Sequence, residues 1–422
     1  MIRYFVLSTV VLGACATYTD QTAQVRNKLI HGQTTEALQT LESSSIASRK
    51  RDEVLFRMER GMLHYLSGNY DRANKDWERS FRRSEELYTL SLSNTAASLA
   101  VSEDMTDYEG EDHERVLLPI FSSMSWFSTG DLNAALVEIR KAYNLITKLK
   151  LDNEAESGRI DGFPFLVSGL LYEANSNWDA AIIEYRKALK FYQRSPRDTF
   201  KGVIQLTADS LWRIAEFRNR RELVEELEGA GFSRPADDLR TLMAKGEVFL
   251  IVEGGQSPIK VPRDHTVQHN NGITNVSFPA YQAITRANSS TRIFCDGNEC
   301  DRTAKASDIG ALAETALEKR RLRDFAKLVA RIAVKAGTQA MIKKQFGEAA
   351  GLAMMLTNVA TERADTRSWT LLPENIQIAR IPVKPDIPVK ISSANTNTIQ
   401  GNLWTVKVPK GKKKFLRLRT MY

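Results

Sequence analysis

The sequence predicts a mainly α protein with a smaller α+β part: an α-solenoid of stacked helical hairpins followed by a C-terminal strand-and-helix domain. Three observations carry this reading. Between Phe165 and Pro196, the small residues Gly169, Ala181 and Ala188 fall where two helices must approach closely, and Tyr172, Trp178 and Tyr185 fall where gaps must be filled. The spacing from Gly61 to Ala73 to Trp77 repeats that from Gly169 to Ala181 to Tyr185. Near Gly246 the composition changes, and Glu247 to Glu253 becomes a run of β-branched and aromatic residues that reads as a buried strand.

In the best-defined hairpin, helix A is expected from Pro164 to Asn175 and helix B from Trp178 to about Tyr192. Pro164 suits a first turn because its missing N–H would go unbonded there. Such a unit of ~34 residues resembles the tetratricopeptide repeat (TPR), which cannot bury its apolar face alone and so needs stacked neighbours. Other units follow the same offsets. The first is clear only at its turn and helix B (Gly32, Ala37, Leu41), with helical periodicity from Thr22. The second holds Gly61, Gly68, Tyr70, Ala73, Trp77 and Ser80, and the third Gly130, Leu132, Ala135, Ile139 and Ala142, with Trp126 in its helix A. Glu103 to Glu114 reads as an inserted loop before the third unit. Lys201–Arg218 and Arg221–Glu228 read as one more pair, closed by Gly229 and Gly231. The competing reading is an irregular helical bundle.

The N-terminus carries a short basic segment with Arg3 and an apolar run, Tyr4 to Leu12, too short to span a bilayer, which needs ~20 residues. It ends in Leu12-Gly13-Ala14-Cys15, which resembles the lipobox of bacterial lipoproteins. That resemblance implies that the Cys15 thiol accepts lipid and becomes the mature N-terminus. Ala16 rather than Asp follows, which implies release to the outer membrane. The chain thus divides into a signal peptide (1–14), a lipidated tether (15–21), helical repeats (22–245) and a C-terminal α+β domain with a basic tail (246–422).

The net charge of +8 is concentrated in that tail, where residues 401–422 hold seven basic side chains (Lys407, Lys410, Lys412, Lys413, Lys414, Arg417, Arg419) and no acid. The remainder is nearly balanced, so no nucleic-acid footprint is indicated. Lys412 to Lys414 read either as protection of a β edge or as a binding element.

Further short strands are expected at Ile259–Val261, Ile273–Phe278, Thr291–Cys295, Ile376–Ile381, Pro388–Ile391, Leu403–Val408 and Lys414–Arg419. Pro258, Pro262 and Pro279 are expected to break them up. Ser307 reads as the N-cap of a helix with an apolar stripe through Ile309, Leu312 and Ala316, and Thr338–Arg363 as a second helix, apolar from Phe346 to Val359. On the first helix Lys319, Arg323, Lys327, Arg331 and Lys335 form a row at i+4 spacing. This is either a solvated face or a contact for anionic headgroups or an acidic partner.

Candidate chemistry is sparse. Cys295 and Cys300 flank turn-forming Asp296-Gly297-Asn298 and read as a disulfide suited to an oxidising compartment, because a metal site lacks further ligands nearby. His265 and His269 lack an evident third zinc ligand. Gly254-Gly255 lacks the ending of a phosphate loop. No catalytic set, cofactor or metal is assigned.

The segment from Phe346-Gly347 through Thr361-Glu362-Arg363-Ala364-Asp365-Thr366-Arg367-Ser368-Trp369 to Leu372-Pro373-Glu374-Asn375-Ile376 resembles the signature of a family of bacterial TPR-containing outer-membrane lipoproteins. The order of parts is similar over most of the chain. The resemblance implies an envelope location and partners among cell-envelope proteins, other outer-membrane lipoproteins included. From the residues alone, Asp365, Arg367 and Trp369 alternate as in an extended segment, and the structural reading is a corner locked by an Asp–Arg contact and a buried Trp. Together these imply a lipid-anchored periplasmic adaptor, not an enzyme, whose groove of helices binds a peptide of an envelope protein. The alternatives are a structural subunit of an envelope or secretion assembly, and a ligand-binding or enzymatic C-terminal module.

Overall fold

The computed structural model describes residues 17–93, 105–151, 158–195, 198–269, 272–284, 290–320, 364–394, 398–399 and 402–421. Five helical hairpins come first: α1 (Tyr18–Ile30) with α2 (Thr34–Glu42), α3 (Glu53–Leu66) with α4 (Tyr70–Ser93), α5 (Asp112–Thr129) with α6 (Leu132–Lys148), α7 (Phe163–Ala174) with α8 (Trp178–Gln193), and α9 (Lys201–Phe217) with α10 (Arg221–Gly229). A short α11 (Leu239–Met243) leads into the strands.

The hairpins obey the expected offsets. A Cβ on Gly61 would lie 2.4 Å from Trp77 Nε1, and one on Gly169 would lie 2.6 Å from the Tyr185 ring. Ala73, Ala135, Ala181 and Ala188 are fully buried, and Tyr172 packs half-buried against the core. Gly130 differs from its expected role. It lies in the turn at φ 89°, where an added Cβ would meet nothing. It therefore supplies a left-handed C-cap rather than a close approach. The small helix-A residue of that unit is Ser123, which is fully buried. Gly32, Gly68, Ser176 and Asn219 occupy the same turn position, all with positive φ.

Two boundaries shift. The expected tether loses its end to α1, because Thr17 and Asp20 form a capping box (Asp20 N to Thr17 Oγ1, 3.2 Å; Thr17 N to Asp20 Oδ2, 3.0 Å). The inserted loop ends earlier than Glu114, because Glu111 and Glu114 form the capping box of α5.

The strands form three sheets. Sheet A has the order β10 (Lys413–Thr420), β1 (Gly246–Gly254), β7 (Asn375–Val383), β6 (Ala304–Asp308), with β1 parallel to β10 and antiparallel to β7. Sheet C runs β5 (Asn298–Arg302), β4 (Arg292–Cys295), β8 (Val389–Ser393), β9 (Leu403–Val406). Sheet B is a separate two-stranded ribbon of β2 (Ile259–His269) and β3 (Gly272–Gln282).

Sheet A is the middle layer. Val248, Leu250 and Val252 pack with Ile293, Ile391 and Val406 of sheet C, while Phe249, Ile251, Ile376 and Ile378 join the core of the helices. Apolar burial on both faces explains the unbroken run in β1. Helices and one face of sheet A thus share one core, which Trp369 enters edge-to-face, its ring centroid 6.3 Å from that of Trp77 and 5.9 Å from that of Phe121.

Two local expectations are corrected. Pro262 and Pro279 do not interrupt β2 and β3 but stand opposite each other. Both strands of a two-stranded ribbon are edges, where a missing N–H costs no ladder bond. Ser307 lies within β6 rather than at a helix start, and the strand's last residue, Asp308, caps the following helix (309–320 as far as described) by accepting Ala311 N–H at 3.0 Å. The strand expected at Lys414–Arg419 is present as β10, an edge strand that pairs along β1 with Arg417 and Arg419 buried.

The sequence readings on residues 1–14, Cys15, Arg323, Lys327, Arg331, Lys335, the helix Thr338–Arg363 and the motif residues before Ala364 lie outside the described residues. So do the side chains of His265 and His269.

Gly169→Ala tests the hairpin packing. Gly→Ala inside a helix normally stabilises by roughly 0.5–1 kcal/mol. Here the clash with the Tyr185 ring should reverse the sign, at about 1–3 kcal/mol of destabilisation. Gly229→Ala in α10, where an added Cβ meets nothing, should be neutral or stabilising. Equal effects in urea unfolding would contradict the assignment.

Candidate interaction site

The helix A of each central hairpin would line a peptide groove. In this protein those faces are filled by the chain's own C-terminal part, and buried carboxylates do the gripping. Glu59 of α3 accepts Thr370 N–H and Thr370 Oγ1 at 2.7 Å each and Leu371 N–H at 3.1 Å. Glu114 of α5 accepts Trp369 N–H at 2.7 Å and the Tyr108 hydroxyl at 2.6 Å. These contacts are those of an extended peptide held by its backbone, and they hold the motif segment. Ahead of it, the expected Asp365–Arg367 contact is present as a two-point pair at 2.9 and 2.8 Å, and Arg367 also donates to Thr106 O at 2.8 Å.

A second grip joins α7 to sheet A. Strand alternation turns Glu247, Arg380 and Lys413 toward the helices. Arg380 donates to Glu173 at 2.6 and 3.0 Å, to Glu247 at 2.8 and 3.0 Å, and to Ser210 at 2.7 Å. Lys413 bonds both carboxylates, at 2.8 Å to Glu173. Two cations thus meet two anions. Gly169 gives the Tyr185 ring room to lie against α7, and the Tyr185 hydroxyl donates to Glu173 at 2.6 Å. One repeat position therefore orients the carboxylate that holds the sheet. Burial alone would raise the Glu173 carboxyl, but Arg380 and Lys413 reverse this and hold it well below the usual carboxylate range.

A third grip is Asp161, which accepts Phe163 N–H (3.0 Å), Ser307 Oγ (2.6 Å) and Asp308 N–H (3.2 Å). A fourth is Glu111, bonded to Lys260 of β2 and, at 2.8 Å, to Arg320.

Among the described residues the array has an open cleft at its far end. It lies between α9, α10 and residues 234–240, has a volume of about 540 Å³, and is lined by Arg213, Arg220, Arg221, Glu225, Glu228 and Asp238 around Phe217 and Val224, among others. Cys295 and Cys300 form a disulfide that crosses the β4–β5 hairpin. Lys319 lies on the helix 309–320, and the rest of its predicted basic row lies outside the described residues. Among the described residues no cluster of three or more His, Cys, Asp or Glu is arranged to hold a metal.

No protein-family model matches the chain, and no curated protein does. Among solved structures, apo RapI is similar at 10% identity over 51% of this chain and 52% of that one, with a TM-score of 0.38. The TPR-like repeats of a Podosopora anserina kinesin light chain are similar at 13% identity over 50% of this chain and 90% of that one, with a TM-score of 0.34. BtubC (BKLC) from P. vanneervenii is similar at 13% identity over 52% and 79%, with a TM-score of 0.32. The match spans about half the length of RapI. The TPR-like character of this chain rests on its own hairpins.

Sequence reasoning missed Glu59, Glu114, Asp161 and Glu173. The signal was there: each is an acid within or beside a helix otherwise apolar on its inner face.

Two tests follow. Arg380→Met leaves two buried carboxylates against Lys413 and should destabilise by about 3–5 kcal/mol. A loss under ~1 kcal/mol in chemical unfolding, the range of an exposed pair, would contradict the network. The second concerns pH. Burial pushes the Glu59 carboxyl up to about 7, against the hydrogen bonds it accepts, and Asp161 up to about 6. The folded state therefore holds these protons at a pH where the unfolded chain has released them. Their stabilising contribution is present below about pH 4.5, near the ordinary value for Glu, and is lost as pH rises through 6 to 7. The melting temperature should fall between pH 5 and 8, and Glu59→Gln should flatten that slope. An unchanged slope would refute the role of Glu59.

Proposed function

We propose that this protein is an outer-membrane lipoprotein on the periplasmic face, anchored through Cys15, and that it serves as a scaffold for another cell-envelope protein. The lipobox-like Leu12-Gly13-Ala14-Cys15 supports the anchor, and among the described residues no helix is long and apolar enough to cross a membrane. The observation that carries the scaffold reading is the repeat array itself: five stacked hairpins, filled inside by the chain's own strands and open at α9–α10. This relocates the docking expected of the groove. The partner meets the terminal cleft, where Phe217 and Val224 stand among arginines (Arg213, Arg220, Arg221, Arg240) and carboxylates (Glu225, Glu228, Asp238), a lining suited to a segment that carries both charges and an apolar anchor.

A second reading has one observation behind it. An open cleft of about 550 Å³ between α9, β6, β7 and the β4–β5 hairpin is lined by Lys201, Gln205, Asp209, Asp301, Arg302 and Lys305 among others, which suits a polar ligand of the C-terminal module.

Cys15→Ser should release the protein from carbonate-washed membranes and remove palmitate labelling. In cells, a photocrosslinker at Val224 should capture an envelope protein, and Arg221→Glu with Arg240→Glu should abolish capture while lipidation stays normal. Retention of the Cys15→Ser protein in the pellet would refute the anchor. Capture unaffected by the arginine reversals, but abolished by reversing Lys319, Arg323 and Lys327, would place the partner on the basic helix instead.

A further inference from the structure

The start of α1 and the base of the β2–β3 ribbon meet at one point. Thr19 Oγ1 donates to Lys260 O at 2.7 Å and contacts Thr366 O at 3.3 Å. Lys260 is buried, and its ammonium bonds Glu111, the carboxylate that also holds Arg320. The ribbon's base is therefore fixed to α1 and α5. Beyond it, Pro262, Arg263 and Asp264 are exposed, and β2 and β3 run for 11 residues each, roughly 36 Å at ~3.3 Å per residue.

Chain length ties this point to the anchor. Only Ala16 separates Cys15 from Thr17, so an acylated Cys15 can stand no more than about 7 Å from the Thr17 Cα, at ~3.3–3.6 Å per residue. The acyl chains must enter the bilayer there. The bilayer surface is thus held within a few residues of the ribbon's base.

We propose that the β2–β3 ribbon is a membrane-contacting arm that lies in the headgroup layer beside the lipid anchor. This rests on the lipoprotein reading above. The occupant is a lipid surface, because the N-terminal chain reaches no further than the ribbon's base before it must meet lipid. The depth follows from hydrogen bonding. A ribbon of this length could reach across the hydrocarbon core, which takes strands of ~9–11 residues. Among the described residues, however, no strand pairs with either outer edge of this two-stranded sheet, and unbonded N–H and C=O groups are not tolerated in hydrocarbon. At headgroup depth, water and phosphate oxygens satisfy them. The exposed Arg263, just past the ribbon's base, can bond phosphate oxygens in this setting.

The test uses the full-length lipidated protein bound to vesicles of phosphatidylethanolamine and phosphatidylglycerol. Its other cysteines are acylated or in the disulfide, so Gln268→Cys can carry a single environment-sensitive fluorophore, with Glu225→Cys on α10 as the comparison site. Vesicle flotation is scored first. The label at 268 should shift to the blue and lose intensity to a headgroup spin-labelled lipid, and the label at 225 should do neither. A floating protein whose 268 label stays unquenched and unshifted would overturn the arm while leaving the anchor standing. Quenching at 268 only by a spin label deep in the acyl chains would overturn the headgroup placement. Failure to float would overturn both the arm and the lipoprotein reading.

Discussion

Strand β1 sets the central constraint. It is apolar on both faces, yet Glu247 and Glu253 close its two ends on the side that meets the helices. Buried carboxylates of this kind are tolerated only when paired, and removing one partner costs far more than an exposed pair would. The chain answers at each end with basic residues from β10. Lys413 joins Glu247, and Arg419 lies 3.9 Å from Glu253. Arg417 stacks over the Tyr65 ring at 4.1 Å and donates to Tyr65 O at 2.8 Å. Residues that look like a solvated basic tail are thus the counter-charges of the central strand, and β10 is where they have to be.

The same logic runs into the helices. Glu173 completes the charge balance of Arg380 and Lys413, and Glu59 and Glu114 bond the backbone of residues 369–371. The strand part is therefore held as a ligand of the array would be. Repeat arrays recruit partners through their inner face; here that face is satisfied from within at α3, α5 and α7, and an open cleft of mixed charge lies at α9–α10. Specific recognition then has to come from the array's end or from surfaces that the strands add.

The sequence was most readable where one residue type answers to one geometric need. Gly169 with Tyr185 and Gly61 with Trp77 report the close crossing of helices, and Glu247 to Glu253 reports a strand buried on both faces. The Asp365–Arg367–Trp369 corner was legible for the same reason. It was least readable where a residue's meaning depends on a distant partner. Lys413 read as edge protection or a binding element because nothing local shows Glu173 or Glu247 beside it. Gly130 read as a packing glycine because turn and contact glycines share an alphabet and differ only in φ. Glu59 and Glu173 went unassigned because an acid on a helix is usually a surface residue; Glu173 follows the apolar Leu170-Leu171-Tyr172, whereas Glu59 stands between Arg57 and Arg60 and is marked only by the apolar face it shares with Leu55, Met62 and Leu63.

The claim on which the rest depends is that helices and strands form one cooperative unit with the array's inner face filled by the chain itself. Native-state hydrogen exchange tests it most directly. The amides of Trp369, Thr370 and Leu371, bonded to Glu59 and Glu114, should exchange with the same free energy and the same denaturant dependence as the core amides of α3, α5 and α7. If those three amides exchange through a separate, lower-energy opening while the helices stay protected, the segment is a removable occupant of an independent array, and the account is wrong.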